Sequence, residues 1–156
     1  MEIVYLADQP GYLPTVARWV FDEWGRKTSG VNLAQVKTKF RGHLQRDAVP
    51  LTLVAVNDGL PTGTASLFTH DLSLRPELSP WLAAVYVPPK QRRQGIGQKL
   101  VQAAEETARR LEIERLYLFT PDQVPFYTRL GWSILEETDL RSQPITIMHK
   151  TFLNHK

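Results

Sequence analysis

The sequence predicts a mixed α/β chain, with a largely antiparallel sheet and a single central crossover. Three observations predict it. Apolar residues recur at helical spacing in two stretches before Leu51 and again from Gly95 to Leu111. Short apolar or alternating runs bounded by Gly, Pro, Asn and Asp fill most of the rest. One of the helical stretches stands alone between two strands, and a strand–helix–strand unit of that kind is parallel and right-handed.

The elements follow in order. Glu2 to Ala7 alternates weakly and reads as a strand, with a turn over Asp8 to Gly11. Leu13, Val16, Ala17, Val20, Phe21 and Trp24 mark the buried stripe of a helix that Gly25 stops. Tyr12, Trp19 and Glu23 share one flank of it. Asn32 with Gln35 three residues later forms a capping box for a second helix over 33–46. Leu33, Val36, Phe40 and Leu44 make its stripe, and Lys37, Lys39 and Arg41 its outer face. Leu51 to Val56 is a buried strand, Asn57-Asp58-Gly59 a turn, and Thr62 to Asp71 the antiparallel partner. Leu72 to Pro80 is irregular, and Trp81 to Val87 is a strand ended by Pro88-Pro89. From Gly95, Ile96, Leu100, Ala104, Ala108 and Leu111 form one helix face, while Gln98, Gln102, Glu105, Glu106 and Arg109 are expected to face water. Arg115 to Thr120 is a strand, and Thr120 or Asp122 caps a short helix ending at Gly131. Trp132 to Glu136 and Ile145 to His149 close the chain as strands.

The 156 residues amount to one domain's worth, so residues 1–156 are expected to form a single domain. With 42% hydrophobic and 22% charged residues, the chain can close a core and is no disordered tail. No apolar run is long enough to span a membrane, and the N-terminus lacks a signal-peptide pattern. Cysteine is absent, which removes disulfides, thiolate nucleophiles and Cys-ligated zinc and fits a cytoplasmic location. His43, His70, His149 and His155 show no metal-ligand spacing on a helix, so no metal is expected.

The net charge of +3 is unevenly spread: Lys90, Arg92, Arg93 and Lys99 crowd one turn without an acid. That turn follows a strand and two prolines, holds Gly95 and Gly97, and opens a helix. A helix N-terminus exposes unpaired N–H groups and a positive dipole end, and glycines let a phosphate approach them. A Walker loop requires Gly-Lys-Ser/Thr, which does not occur. The dinucleotide fingerprint needs a third glycine where Leu100 stands.

The pattern that fits is Gln/Arg-x-x-Gly-x-Gly/Ala: Arg92-Arg93-Gln94-Gly95-Ile96-Gly97, preceded by Val85-Tyr86-Val87-Pro88. It resembles the coenzyme A loop of the GNAT family of N-acetyltransferases. A second motif, Phe126-Tyr127-Thr128-Arg129-Leu130-Gly131-Trp132, is similar to that family's Phe-Tyr-x-x-x-Gly-Phe/Tyr, with Trp132 departing at the last position. The order of elements agrees over essentially the whole chain. The resemblance implies an acetyl-CoA-dependent N-acetyltransferase fold. In it the backbone of Val85 and Val87 would bind the pantetheine arm beside Tyr86. Amides from Arg93 to Gln98, including those of Gln94, Gly95, Ile96 and Gly97, would hold the pyrophosphate, with Arg92 adjoining. The flanking strands would splay to admit the cofactor. Gln94 is neutral where some members carry a basic residue.

The implied chemistry is direct attack of an amine on a thioester in a ternary complex. Tyr127 is placed by the resemblance beside the sulfur, and a phenol with pKa about 10 keeps its proton at neutral pH to give to a departing thiolate. Phe126 is assigned to packing and the oxyanion to an amide near Val87. Some members of the resembling family place a glutamate on the strand before the loop; here that strand holds no acid, which leaves Glu23, His70, Asp71, Glu77 or a water chain as candidate bases, and each of these side chains also reads as an ordinary helix, turn or loop residue. Trp19, Glu23, Asp71 and Glu77 are candidates to line the groove of an amine-bearing acceptor, whose cation suits carboxylates and aromatic faces. Asp122-Gln123-Val124 before Phe126 resembles, locally, a subgroup that includes protein N-terminal acetyltransferases. Neither nucleic acid nor membrane is expected as a partner, and the chain is expected to act as a monomer or homodimer. The alternative is a non-catalytic acetyl-CoA-binding regulatory module.

Overall fold

In chain order the elements are β1 (Glu2–Tyr5), α1 (Leu13–Glu23), α2 (Leu33–Arg41), β2 (Leu51–Asn57), β3 (Leu60–Phe68), β4 (Trp81–Tyr86), α3 (Ile96–Arg110), β5 (Arg115–Thr120), α4 (Val124–Arg129), β6 (Ser133–Leu140) and β7 (Gln143–Thr151). The computed structural model describes residues 1–152, and His155 lies outside them. The strands form one sheet in the order β1-β2-β3-β4-β5-β7-β6. Every neighbouring pair is antiparallel except β4 and β5, the two strands joined by α3. The mixed sheet with one parallel crossover therefore stands as the sequence predicts.

At β2 both faces of the sheet are covered, which is why this strand reads as a continuous apolar run. Alternation along the strands sends Leu51, Leu53 and Ala55 to one side and Val54 and Val56 to the other. On the first side they meet Ile96, Leu100, Val101, Ala104 and Ala108 of α3, with Tyr127 of α4. On the second they meet Leu13, Val16 and Ala17 of α1 and Val36 and Phe40 of α2. Asn32 and Gln35 cap α2 reciprocally, each backbone N–H donating to the other's side chain at 2.9 Å.

Several expectations are corrected. The helix over 33–46 ends at Arg41, because Gly42 follows and the chain then turns His43 into the core. Its imidazole lies 4.8 Å from the Phe40 ring and 5.1 Å from Phe68, and Nδ1 is 3.0 Å from Thr52 Oγ1. Leu44, read as part of the buried stripe, is consequently exposed. Trp24 is exposed as well, since α1 stops one residue earlier. Gly25 is needed there: a Cβ would stand 2.8 Å from the Phe21 ring. The partner strand of β2 ends at Phe68 rather than Asp71, and the last two strands are longer than expected. Neither Thr120 nor Asp122 caps α4, whose N-cap is Gln123; Thr120 Oγ1 instead holds the turn before the helix, accepting from the Asp122 and Gln123 amides at 3.3 and 2.9 Å. Glu105 does not face water; it is 4% exposed and bonded on both carboxylate oxygens.

Gly63 decides how close α3 comes to the sheet. A Cβ at this position would stand 2.9 Å from Leu100 Cδ1, 3.0 Å from Ile96 Cγ2 and 3.2 Å from the Tyr86 carbonyl oxygen. Leu100 and Ile96 are themselves buried and have nowhere to retreat. Gly63→Ala is therefore expected to lift the first turn of α3 and destabilise the fold by about 1–3 kcal/mol, as overpacking does. Thermal unfolding checks this, and a melting temperature at or above that of the native chain contradicts it.

Candidate active site

β4 and β5 form a ladder pair at one position, Trp81 with Tyr117, where the Tyr117 amide donates to the Pro80 carbonyl at 3.1 Å. Beyond that point they part. The cause is in β4: Ser66 of β3 faces Ala83, but Thr64 faces Tyr86, so β4 carries one extra residue. Ala84 absorbs it with φ of 51°, a conformation that bends the strand. The Tyr86 carbonyl points at Gly63 on β3, so alternation turns the N–H and C=O groups of Val85 and Val87 to the opposite edge. That edge faces the gap left by β5.

At the open end of the gap the chain turns through Arg93 (φ 67°) and Gly95 (φ 77°) into α3. The first helical bond runs from the Lys99 amide to the Gly95 carbonyl at 3.1 Å. The amides of Gly95, Ile96, Gly97 and Gln98 precede it and have no backbone acceptor among the described residues. A Cβ on Gly97 would stand 3.7 Å from Phe126 Cζ and 3.9 Å from Val87 Cγ2, so its absence leaves a cradle between α4 and β4. Arg93, Gln94, Lys90, Gln98 and Lys99 are exposed around it. Arg92 behaves differently from its basic neighbours. Its Nε donates to the Val87 carbonyl at 2.8 Å, and its guanidinium lies 5.9 Å from the Tyr86 ring centre. That carbonyl is thus taken from within the chain.

Tyr127 of α4 is the more buried of the two motif aromatics, at 8% exposure, with Phe126 at the rim beside Gly97. The rings of Phe126 and Trp132 pack edge-on against it at 5.0 and 6.1 Å. Burial pushes the phenol well above its ordinary value, so the hydroxyl stays protonated.

The opposite face of β4 carries an aromatic corner. The Tyr86 ring packs 5.8 Å from Trp19 and 6.3 Å from Trp24. Tyr86 therefore pairs its backbone with β3 and turns its ring toward α1. Glu23 is half-buried at the end of α1, next to Trp24. Tyr12 leaves that flank and donates to the Gly59 carbonyl at 2.9 Å. His70, Asp71 and Glu77 lie past Phe68, which pairs with Trp81, so they follow the closed end of β4 rather than Tyr86. His70 and Glu77 are exposed. Asp71 neighbours Lys39 and is pushed up to about 6 by burial, partly opposed by that ammonium. The structure thus groups Trp19 and Tyr86, with Glu23 at the end of the same helix, and sets Asp71 apart. Trp24 was missed as a member of this corner; its helical spacing reads as core.

The acetyltransferase (GNAT) family model matches residues 13–132, and the chain belongs to that family. No curated protein sequence matches it. Among solved structures it is similar to an aminoglycoside 6'-N-acetyltransferase complexed with coenzyme A, at 15% identity and TM-score 0.76 over 100% of this chain and 99% of that one. It is similar to the aminoglycoside 6'-N-acetyltransferase from Enterococcus faecium, at 16% identity and TM-score 0.74 over 100% and 99%. A ribosomal-protein-alanine N-acetyltransferase from Brucella melitensis aligns at 20% identity and TM-score 0.76 over 97% and 100%. These likenesses concern the fold.

Two titrations on the α2 side oppose each other. Asp71, raised from 3.8 to about 6, keeps its proton in the folded chain after the unfolded chain has lost it, so stability falls as pH climbs through that window. His43, lowered from 6.5 to about 4 by burial and by Lys39, makes stability rise between those values. Relative to the native chain, Asp71→Asn should show a melting temperature that climbs more steeply from about pH 4 to 6, and His43→Gln one that falls there. Parallel melting curves for all three proteins would contradict the pairing.

Proposed function

We propose that this chain moves an acetyl group from acetyl-CoA directly to a primary amine, on a small molecule or a peptide or protein N-terminus, with donor and acceptor bound together. One observation carries the reading: a gap in the sheet lies beside a helix start with unpaired amides, and α4, which brings Phe126 next to Gly97 there, also carries the buried, protonated Tyr127. The amides of Gly95 to Gln98 suit a pyrophosphate, and Lys90, Arg93 and Lys99 draw an anion toward them. The Val85 and Val87 amides offer a strand-like edge to the pantetheine arm. Because Arg92 occupies the Val87 carbonyl, that residue offers its N–H alone.

Acetyl-CoA supplies an activated acyl group on a thiol leaving group. An amide of the β4 edge is the donor for the carbonyl oxygen as negative charge develops there. Tyr127 gives its proton to the sulfur as the C–S bond breaks and the C–N bond forms. The proton shed by the amine leaves through Glu23 or water and restores the phenol through solvent. A cationic acceptor fits the corner of Trp19, Trp24 and Tyr86 with Glu23, by cation–π attraction and charge. Asp71 and Glu77 belong to a more distant part of the acceptor surface. The neighbours named above act on an aminoglycoside and on a ribosomal-protein alanine, so both acceptor kinds belong in the test. The chain would work in the cytoplasm, as a monomer or homodimer.

Free CoA thiol is followed while acetyl-CoA and a panel of aminoglycosides, polyamines and alanine-initiated peptides are supplied. Release above the no-acceptor rate is expected with at least one amine, together with a rise in melting temperature on adding acetyl-CoA. Binding without release across the panel would favour a regulatory module. Tyr127→Phe should lower turnover by about 10²-fold while acetyl-CoA still raises the melting temperature. Unchanged turnover would remove the acid assignment.

A further inference from the structure

A buried polar cluster behind Tyr127 joins three elements that are distant in sequence. Glu105, in the third turn of α3, is 4% exposed. Trp132 Nε1–H donates to its Oε2 at 3.1 Å, and Lys150 Nζ of β7 donates to its Oε1 at 2.7 Å. Lys150 Nζ also donates to the Leu130 carbonyl at 2.7 Å, just past the end of α4. From the other side, the amides of Leu130 and Trp132 both donate to the Tyr127 carbonyl at 3.0 Å. Trp132 therefore grips Tyr127 twice, through its amide and through its edge-on ring, and is itself fixed by Glu105.

α4 has six residues, too few to hold a helix unaided. Its position must come from such contacts. Gly131 (φ 93°) makes the turn, and even a Cβ there would crowd Lys150 Nζ at 3.3 Å. The burial of a carboxylate is costly, and here both oxygens are met by donors that also hold the α4–β6 turn. The phosphate seat and the tyrosine consequently share one rigid rod: α3 carries the open amides at its start and Glu105 further along.

We propose that Glu105, Trp132 and Lys150 act as positioning residues for Tyr127, setting its hydroxyl against the sulfur at a distance fixed by α3. Trp132, which departs from the Phe/Tyr of the resembling motif, brings an indole N–H that reaches Glu105 and that Phe lacks. The proposal rests on the acid role of Tyr127 and is tested so that the two can fail separately.

The measurement is CoA thiol release from acetyl-CoA, with the panel amines or with water alone, in native protein, Trp132→Phe, Tyr127→Phe and the double variant. Trp132→Phe keeps the packed ring and removes the N–H. Its kcat should fall about tenfold or more, as misplacement of a reacting group does, with the acetyl-CoA-induced rise in melting temperature kept. In the Tyr127→Phe background the same change should have no further effect, because a residue acting only through the phenol has nothing left to act on. Equal losses in both backgrounds, or no loss in either, would overturn the positioning role while leaving the acid role intact. If Tyr127→Phe alone costs nothing, both fall. Glu105→Gln, which keeps an acceptor for the indole but loses the charge pair with Lys150, runs through the same cycle should Trp132→Phe not fold. An effect that persists without the phenol would count against the proposal there too.

Discussion

The sheet is held together across its middle by one parallel residue pair, and the whole site follows from how little that is. Trp81 makes the joint: it has no exposed surface, its indole N–H donates to the Leu78 carbonyl at 2.7 Å, and its ring lies 5.8 Å from Tyr117 and 6.2 Å from Phe119. Past this joint the extra residue at Ala84 turns β4 aside, and neither strand completes the other. The result is an interior strand edge that β5 leaves unpaired beyond Trp81. Such an edge on the outside of a sheet invites association. Here α1 and α3 flank it and keep it from other chains.

α3 shows how stability gives way to binding. A first helical turn favours acidic residues, yet Ile96 to Lys99 holds none and Lys99 is a cation placed against the positive end of the dipole. The last turn, with Arg109 and Arg110, has the stabilising arrangement. Only the start of the helix is charged the wrong way for its own stability. It is charged the right way for an anion sitting on its amides. Apolar packing of Ile96 and Leu100 over Gly63 holds that turn in place despite the charge.

What the sequence made legible was what local rules govern. Asn32 and Gln35 announce their capping box, Gly95 and Gly97 announce the loop, and Arg115 to Thr120 matches β5 residue for residue. The resemblance to a coenzyme A loop rested on Arg92 to Gly97, and the family match agrees with it. Illegible were features that depend on tertiary partners. Glu105 reads as a water-facing charge because periodicity says nothing of Trp132 and Lys150, although its place between Val101 and Ala108, both without exposure, was a hint. Arg92 reads as a free cation until the Val87 carbonyl is seen in its reach. Leu44 and Trp24 fit a helical stripe that the chain abandons one turn or one residue sooner. Asp71 reads as an acceptor-site carboxylate, but the strand register sends it to the closed end of β4 beside Lys39.

In the acid role proposed for Tyr127, its burial acts in two directions. A phenol with a raised pKa is a weaker acid, which by itself slows proton donation. The same apolar wall, however, denies solvation to any thiolate formed against it and raises that conjugate acid as well. Donor and acceptor of the proton are thus shifted together, and the match between them survives. What burial adds is retention: a phenol in contact with bulk water has other acceptors, whereas Tyr127 is packed edge-on by Phe126 and Trp132 and, in the proposed role, would keep its proton until negative charge developed beside it. For the proposed acid role, the packing of Phe126 and Trp132 would then matter through the placement of the ring, because a proton donor that cannot be tuned to be stronger would have to be held at the sulfur.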